Sequence, residues 1–226
     1  MISKLKTIIS YFVPVTVAQR KGKINPYLEV NLHNGIFLLD TDKVNYSFGG
    51  GYIVFEKTFE HFQIRHRIFS NVLMLGFGAG SVANILTEKY GLKCKITGIE
   101  KDPVVIELAK QYFNIDNYKN LELICEDAYT FVQQNNNSYD LIVMDIFIDD
   151  EVPKSFHKEE FLYNLNRLLA SNGILFYNIM TKNMILKSQA NNLSEKMKII
   201  FGDIIQYKIK IHCTENTVLV HDRLNK

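Results

Sequence analysis

Several residue types that mark particular classes of protein are scarce in this sequence. Its 226 residues include three cysteines (Cys94, Cys125 and Cys213), four prolines and no tryptophan. An odd number of cysteines without a CxxC pair argues against a disulfide framework, and no His/Cys spacing favours a closed metal site. We therefore expect a protein of a reducing compartment, the cytoplasm, that holds no metal.

Long apolar runs and an excess of one charge are missing as well. No segment is long and apolar enough to span a bilayer, and Pro14 interrupts the apolar stretch near the N-terminus. The 26 basic and 24 acidic residues are mixed along the chain, and the tightest basic cluster, 65–67, is interpreted as a solvated segment. Neither a nucleic acid nor a membrane is expected as a partner, because a phosphate backbone requires a concentrated basic surface.

The chain contains enough apolar material for one large domain with a small extension. Hydrophobic residues make up 47% of it. The sequence predicts a small β-rich segment at 1–50, in which Asn34-Gly35 forms a tight hairpin turn. A flexible, glycine-rich connection is expected at 46–51. An exposed edge strand invites pairing with another chain, so we expect this segment to support a homodimer.

Residues 51–226 alternate between strand-like and helix-like patterns. Predicted strands lie at 72–75, 95–99, 121–125, 139–144, 173–179, 204–211 and 217–220, and predicted helices at 53–62, 81–90, 103–113, 158–169 and 184–200, with a short one ending at 131. This order predicts an α/β, Rossmann-like fold: a mostly parallel seven-stranded sheet with helices on both faces. The last two strands form a terminal antiparallel hairpin, with Thr214-Glu-Asn as its loop.

Candidate site residues follow four successive strands. In an open parallel sheet, ligands bind beyond the carboxyl ends of the strands. The first predicted strand leads into the glycine loop Gly76-Phe-Gly78-Ala-Gly80, which allows a ligand to approach the backbone closely. Glu100, then Asp127 with Ala128, then Asp145 follow the second, third and fourth strands.

Each of these acidic residues has a functional and a structural interpretation. Glu100 suits hydrogen bonds to both hydroxyls of a ribose, or it is a solvent-facing carboxylate. Asp127 suits the exocyclic amine of an adenine, or it caps the next helix. Asp145 ends a buried strand, where an unpartnered carboxylate costs desolvation energy, or it is a turn residue. Their occurrence in order favours a ligand that contains adenosine.

A dinucleotide is another ligand that a glycine loop suggests. The loop reads G-x-G-x-G, however, whereas the usual dinucleotide fingerprint is G-x-G-x-x-G. The chain also leaves too little length for the separate substrate domain of a dehydrogenase. NAD and FAD are therefore less favoured ligands.

The combination resembles the class I S-adenosylmethionine-dependent methyltransferases, and more narrowly their spermidine-synthase-like branch. The stretches that carry the resemblance are Val72-Leu-Met-Leu-Gly-Phe-Gly-Ala-Gly-Ser-Val, Ile99-Glu-Lys-Asp-Pro, Glu126-Asp-Ala and Tyr139-Asp-Leu-Ile-Val-Met-Asp. The resemblance implies a class I methyltransferase fold and, as cofactor, S-adenosylmethionine or its decarboxylated form. It also implies roles for the candidate residues: Gly76, Gly78 and Gly80 border the methionine moiety, Glu100 holds the ribose, Asp127 and Ala128 meet the adenine, and Asp145 is catalytic, helping to deprotonate an attacking amine.

The leading hypothesis is a transferase, most simply a methyltransferase that acts on a small-molecule nucleophile. Spermidine synthases carry an aspartate within the glycine loop, where this chain has Ala79, and a diamine needs a carboxylate at both ends. Aminopropyl transfer from the decarboxylated cofactor is the first alternative, and a non-catalytic adenosyl-binding or scaffold protein is the second. The segments 49–51 and 149–153 are expected to close over the site.

Overall fold

The computed structural model describes residues 4–42, 45–48, 50–148, 151–211 and 214–224, which form two β-sheets with helices packed around the larger one. Predictions about Gly49, Asp149 and Asp150 of the expected closing segments lie outside the described residues, as does Cys213. Within the described ranges, no helix combines the length and the apolar content that a bilayer crossing requires.

The smaller sheet is antiparallel and comes from the N-terminal part of the chain. Its strands, in spatial order, are β1 (Val15–Arg20), β2 (Leu28–His33), β3 (Ile36–Thr41) and β4 (Asn45–Ser47). The β2–β3 turn has a positive φ at Asn34 (51°) and at Gly35 (75°), as a type I′ turn requires, so the predicted hairpin is confirmed. β1 is an edge strand of this sheet, and its use in a homodimer stays a prediction.

Two local features of the N-terminal segment differ from the prediction. A short helix, α1 (Lys4–Ile9), precedes β1, and β4 forms within the stretch that was expected to be flexible. β4 forms there because Ser47 is buried against the glycine loop, a contact that no local pattern reveals. The next helix, α2, begins at Gly50, close to the expected domain boundary, which itself stays a prediction.

The larger sheet confirms the predicted Rossmann-like α/β fold. Its strands are β5 (Asn71–Leu75), β6 (Lys95–Glu100), β7 (Leu121–Cys125), β8 (Tyr139–Met144), β9 (Leu169–Met180), β10 (Ile205–Ile211) and β11 (Thr214–Asp222). Their spatial order is β10-β11-β9-β8-β5-β6-β7. Strands β5 to β9 are parallel, and β11 runs antiparallel between β10 and β9, as the predicted terminal hairpin requires.

Helices cover both faces of this sheet and divide the core into two parts. On one face lie α2 (Gly50–His61), α3 (Ser81–Asn84, continued by a π-helical turn at Ile85–Lys89) and α4 (Pro103–Tyr112); on the other lie α5 (Ala128–Gln134), α6 (Glu159–Leu168) and α7 (Met184–Phe201). Val72 and Met74 of β5 pack in the first core, and Leu73 and Leu75 in the second. Burial on both faces explains why β5 is apolar without interruption.

The prediction of a loop at Thr214-Glu-Asn is wrong, because these residues belong to β11. Thr214 pairs with Ile211 of β10, and Asn216 lies opposite Met180 of β9. Polar side chains suggested a loop, but in the fold they have partners. Asn216 donates a hydrogen bond to a neighbouring strand, and Glu215 forms an ion pair with a lysine of α7.

The basic cluster at 65–67 contains a residue with a structural role. Arg67 donates hydrogen bonds of 2.9 and 2.5 Å to the two carboxylate oxygens of Asp222, and so joins the segment before β5 to the end of β11. The Asp222 side chain is only 1% exposed. Burial acts to raise the pKa of Asp222, but the bonds from Arg67 outweigh it and hold the pKa below its usual value.

We expect Arg67→Ala to lower the free energy of unfolding by about 3 kcal/mol, because a buried carboxylate then lacks its cation. The ion pair stabilises fully above the pKa of an unfolded aspartate, about 3.9, and its contribution is lost as the pH falls through the lower pKa of the folded state. Urea unfolding at pH 7 measures the effect. Lys198→Ala, which removes an exposed pair with Glu195, is the control, and equal midpoints for the two variants would contradict the role of Arg67.

Candidate functional site

The order of strands in the larger sheet reverses between β5 and β8. From β5 the chain continues to β6 and β7 on one side, and then crosses to β8 on the other side. Such a reversal opens a crevice at the carboxyl ends of the strands, where open parallel sheets bind their ligands. A cavity of about 520 Å³ lies there, a volume that suits a small molecule.

Most of the predicted site residues meet in this cavity. Gly76 and Gly78 line it after β5, Glu100 at the end of β6, Asp127 with Ala128 after β7, and Asp145 after β8. Gly80 is outside the lining. Its φ of 91° and the Phe77 ring beside it give it a structural role at the start of α3.

The glycine loop between β5 and α3 has no room for side chains at its tightest point. The N–H groups of Gly76 and Phe77 both donate to the carbonyl oxygen of Ile99 on β6. At Gly76, where φ is 83°, a Cβ would collide with the backbone carbonyl of Asp145. Gly76 therefore brings the ends of β5 and β8 into direct backbone contact.

Glu100 connects the glycine loop to the segment that follows β6. Its Oε2 accepts a hydrogen bond of 2.9 Å from the N–H of Gly78, and its Oε1 accepts one of 3.0 Å from the N–H of Asp102. Burial raises the pKa of the Glu100 carboxyl, while the backbone donors oppose the rise. Each carboxylate oxygen has a further lone pair, so Glu100 can hold the loop and still accept bonds from a ribose.

The N-terminal segment forms one wall of the cavity. Ile24 lines it, and the N–H of Ile24 donates to Oδ2 of the buried Asp102 at 2.9 Å. Ser47 of β4 lines it as well, and its hydroxyl accepts a bond of 3.3 Å from the N–H of Ala79. These bonds join the N-terminal segment to the glycine loop and to the start of α4.

Asp127 is fixed by two kinds of partner. Its Oδ1 accepts from the N–H groups of Tyr129 and Thr130 at 3.0 and 3.2 Å, which confirms the helix-capping interpretation. Its Oδ2 lies 2.9 Å from Nζ of Lys101. Burial acts to raise the pKa of Asp127, but these bonds hold it below its usual value. The carboxylate therefore stays ionised beside Ala128, and its contact with an adenine stays a prediction.

Asp145 begins a row of polar side chains at the centre of the cavity. Its Oδ1 accepts a hydrogen bond of 2.9 Å from the side-chain amide of Asn178 on β9, and Asn178 accepts one of 3.0 Å from Asn216 on β11. Burial raises the pKa of Asp145 to about 6, and the bond from Asn178 partly offsets this. A carboxylate with this pKa is a base that can accept and release a proton near neutral pH.

Carboxylates determine the charge of the cavity. Glu100, Glu126, Asp127 and Asp145 line it, and Lys101 is the sole lysine or arginine in the described part of its lining. Because Lys101 is paired with Asp127, the remaining charge is negative and suits a cationic ligand. Over the described ranges, no group of three or more His, Cys, Asp or Glu side chains is placed to hold a metal ion.

Several lining residues were not predicted from the sequence. Asn178, Asn216 and Met180 line the β9–β11 side of the cavity, and Ile24 and Tyr46 line the N-terminal wall. Only Asn178 carried a signal, because it is a polar residue within an otherwise apolar strand pattern, and a buried polar group needs a partner. The others become site residues only when separate strands are brought together.

The chain is similar in sequence to aminopropyltransferases and to methyltransferases. A profile of the spermine/spermidine synthase domain matches residues 56–216. The polyamine aminopropyltransferase of Vibrio vulnificus is 28% identical over 141 residues, which cover 61% of this chain and 46% of that protein. The eEF1A lysine and N-terminal methyltransferase homolog of Drosophila melanogaster is 24% identical over 165 residues, which cover 69% of this chain and 24% of that protein. The chain therefore spans less than half the length of either relative.

A solved structure extends the similarity to the whole fold. The probable spermidine synthase of Corynebacterium glutamicum superposes with a TM-score of 0.73 at 18% identity, covering 92% of this chain and 79% of that one. At this level of identity the likeness shows the fold alone. The superposed 92% of this chain is more than the larger sheet and its helices occupy. The shared fold therefore includes part of the N-terminal segment.

We expect Glu100→Gln to weaken the binding of S-adenosylhomocysteine about tenfold or more. The variant has one acceptor fewer and no charge to hold the ribose hydroxyls, and a hydrogen bond to a charged group is worth about 1.5–3 kcal/mol. Isothermal titration calorimetry measures the affinity. Glu122→Gln on β7, an exposed residue paired with Lys95, is the control, and equal affinities for both variants would contradict the role of Glu100.

Proposed function

The match over 56–216 shows that this chain belongs to the spermine/spermidine synthase domain family, and we propose that it is a transferase that uses S-adenosylmethionine to methylate an amine. The observation that carries the proposal is the position of Asp145, the carboxylate on the β8–β11 side of a cavity whose other side suits an adenosine. The relatives named above act in part on amines: the Drosophila protein is named as a lysine and N-terminal methyltransferase homolog.

The adenosine side of the cavity is the side formed by β5, β6 and β7. Gly76 and Gly78 bring the backbone of the glycine loop to the edge of the space for the methionine moiety, and Glu100 accepts from the ribose hydroxyls. Asp127 and Ala128 lie at the next strand end, where the adenine would fit. The negative lining also favours the positively charged sulfonium group of the cofactor.

Asp145 is the base of the proposed reaction. The cofactor supplies an electrophilic methyl carbon on its sulfonium sulfur. The lone pair of the acceptor nitrogen forms the new N–C bond, the C–S bond breaks with its electron pair going to sulfur, and the nitrogen loses a proton to Asp145. Asn178 orients the carboxylate through its bond to Oδ1, which leaves Oδ2 for the amine. Alignment and exclusion of water supply most of the rate.

Methyl transfer fits this site better than aminopropyl transfer for an electrostatic reason. The ammonium group of an aminopropyl donor has no carboxylate beside it, whereas the α-ammonium of S-adenosylmethionine lies next to the cofactor's own carboxylate, and the acceptor carries a further ammonium. Ala79 occupies the glycine-loop position where spermidine synthases have an aspartate, and on the β8–β11 side Asp145 is the one carboxylate in the described lining. A second buried ammonium would therefore lack a partner.

Aminopropyl transfer remains the second candidate because of one observation. Lys101 lies beside Asp127, at the adenine end, and no other lysine or arginine appears in the described lining to pair with the α-carboxylate of S-adenosylmethionine. The decarboxylated cofactor needs no such partner. The aminopropyltransferase of Vibrio vulnificus supports this candidate too.

Titration with the two cofactors separates these candidates. We expect S-adenosylmethionine to bind at least about tenfold tighter than its decarboxylated form, with a methylated amine as product by mass spectrometry. Tighter binding of the decarboxylated form, with an aminopropylated product, would replace methyl transfer by aminopropyl transfer. If neither form nor S-adenosylhomocysteine binds, the protein is a non-catalytic member of its family.

We expect Asp145→Asn to lower kcat by about 10²-fold or more while cofactor affinity stays within about tenfold, because the base is lost but the adenosine side is untouched. In the native protein the rate should rise with pH through about 6, as Asp145 ionises, and the variant should lose this limb. Asp140→Asn is the control, since Asp140 lies near the start of β8, at the end opposite Asp145, and accepts from the N–H groups of Ser70 and Asn71. Unchanged turnover in the Asp145 variant would refute its catalytic role.

A further inference from the structure

The cavity continues past Asp145 along the ends of β9, β10 and β11. We call this part the acceptor pocket; its lining residues are Ile146, Phe147, Asn178, Met180, Ile211, Thr214 and Asn216. Asn178 and Met180 lie on the same face of β9, because side chains two residues apart in a strand point the same way. Asn216 is the cross-strand partner of Met180, so the three side chains are neighbours.

The polar groups of the acceptor pocket are largely committed to one another. Asn216 donates to Asn178, and Asn178 donates to Asp145. Both asparagines are buried, with exposures of 2% for Asn178 and 6% for Asn216. The row therefore acts as a fixed support for the Asp145 carboxylate and offers neutral amides, with no second charge, to a ligand.

The rest of the acceptor pocket is mainly apolar. Met180, Ile211, Phe147 and Ile146 supply hydrocarbon surface, and Ile211 is buried with 7% exposure. Thr214 adds one hydroxyl. Surface of this kind favours an alkyl group and disfavours a cation, since a buried ammonium is tolerated only when it is paired.

We propose that the acceptor is a monoamine with an apolar substituent, and that Met180 is a residue that excludes diamines. This inference rests on the proposed function, because it assigns the acceptor of the same site. The amine pairs with Asp145, and its alkyl substituent lies against Met180 and Ile211. A diamine of the same length would place its second ammonium against this hydrocarbon surface, where the described lining holds no further carboxylate.

The test compares two amines of matched length, 1-aminobutane and 1,4-diaminobutane, which differ by one terminal amino group. Each is titrated calorimetrically into the native protein, with and without saturating S-adenosylhomocysteine. We expect 1-aminobutane to bind at least about tenfold tighter in both titrations, because the second ammonium of the diamine would lose its hydration without gaining a partner. Equal binding, or tighter binding of the diamine, would overturn the proposal.

A charge-introducing variant tests the role of Met180 directly. Met180→Glu adds a carboxylate within the acceptor pocket and should reverse the preference, so that the diamine binds tighter than the monoamine. Met184→Glu is the matched control, because Met184 is 80% exposed and lies outside the lining. It should keep the native order. The result would count against Met180 as the excluding residue if the Met180→Glu variant had the same unfolding temperature as the native protein and still preferred the monoamine.

The outcomes also separate this inference from the proposed function. If S-adenosylhomocysteine fails to bind, the transferase proposal fails, and the titrations without it still report the amine preference of the pocket. If S-adenosylhomocysteine binds and the diamine is bound and methylated as well as the monoamine, the transferase proposal stands and the acceptor assignment is wrong.

Discussion

The buried carboxylate of Glu100 is the constraint on which the rest of the site depends. It accepts one hydrogen bond from the glycine loop and one from the segment that starts α4, and thereby holds the ends of β5 and β6 in a single arrangement. Its desolvation is costly and raises its pKa, and the backbone N–H groups offset part of that cost. Asp102 extends the arrangement to the N-terminal segment through Ile24, so that loss of the Glu100 bonds would loosen a wall as well as a binding residue.

The cavity combines two environments that suit two different ligands. On the β5–β7 side, backbone and carboxylates prevail, which favours a ligand with hydroxyls, an exocyclic amine and a sulfonium charge. On the β8–β11 side, hydrocarbon surface surrounds the Asp145 carboxylate, which two amides support. Asp145 lies between them, where burial brings its pKa to about 6. A nitrogen nucleophile held at this point would face the reactive carbon of a cofactor bound on the other side.

Much of the fold was predictable because its signals are local. Uninterrupted apolar runs such as 72–75 indicate strands buried on both faces, and Asn34-Gly35 indicates a type I′ turn through its backbone preferences. Residues directly after parallel strands were predictable as site candidates, since these strand ends share one edge. The polar side chains of Thr214-Glu-Asn indicate a loop, but their partners lie on other strands. The three glycines at 49–51 indicate a flexible connection, whereas the contact of Ser47 with the glycine loop is not local in the sequence.

Local patterns predict the strands of the larger sheet, the glycine loop and the acidic residues at three strand ends, because backbone preference and hydrophobic period act over a few residues. Which of these residues face one another depends on how distant parts of the chain pack. Asn178 and Asn216 are 38 residues apart in the chain, and their bond exists because β11 inserts between β10 and β9. The acceptor pocket, the raised pKa of Asp145 and the N-terminal wall all arise in this way. Burial and hydrogen-bond partners are properties of packed neighbours, which a linear pattern does not contain.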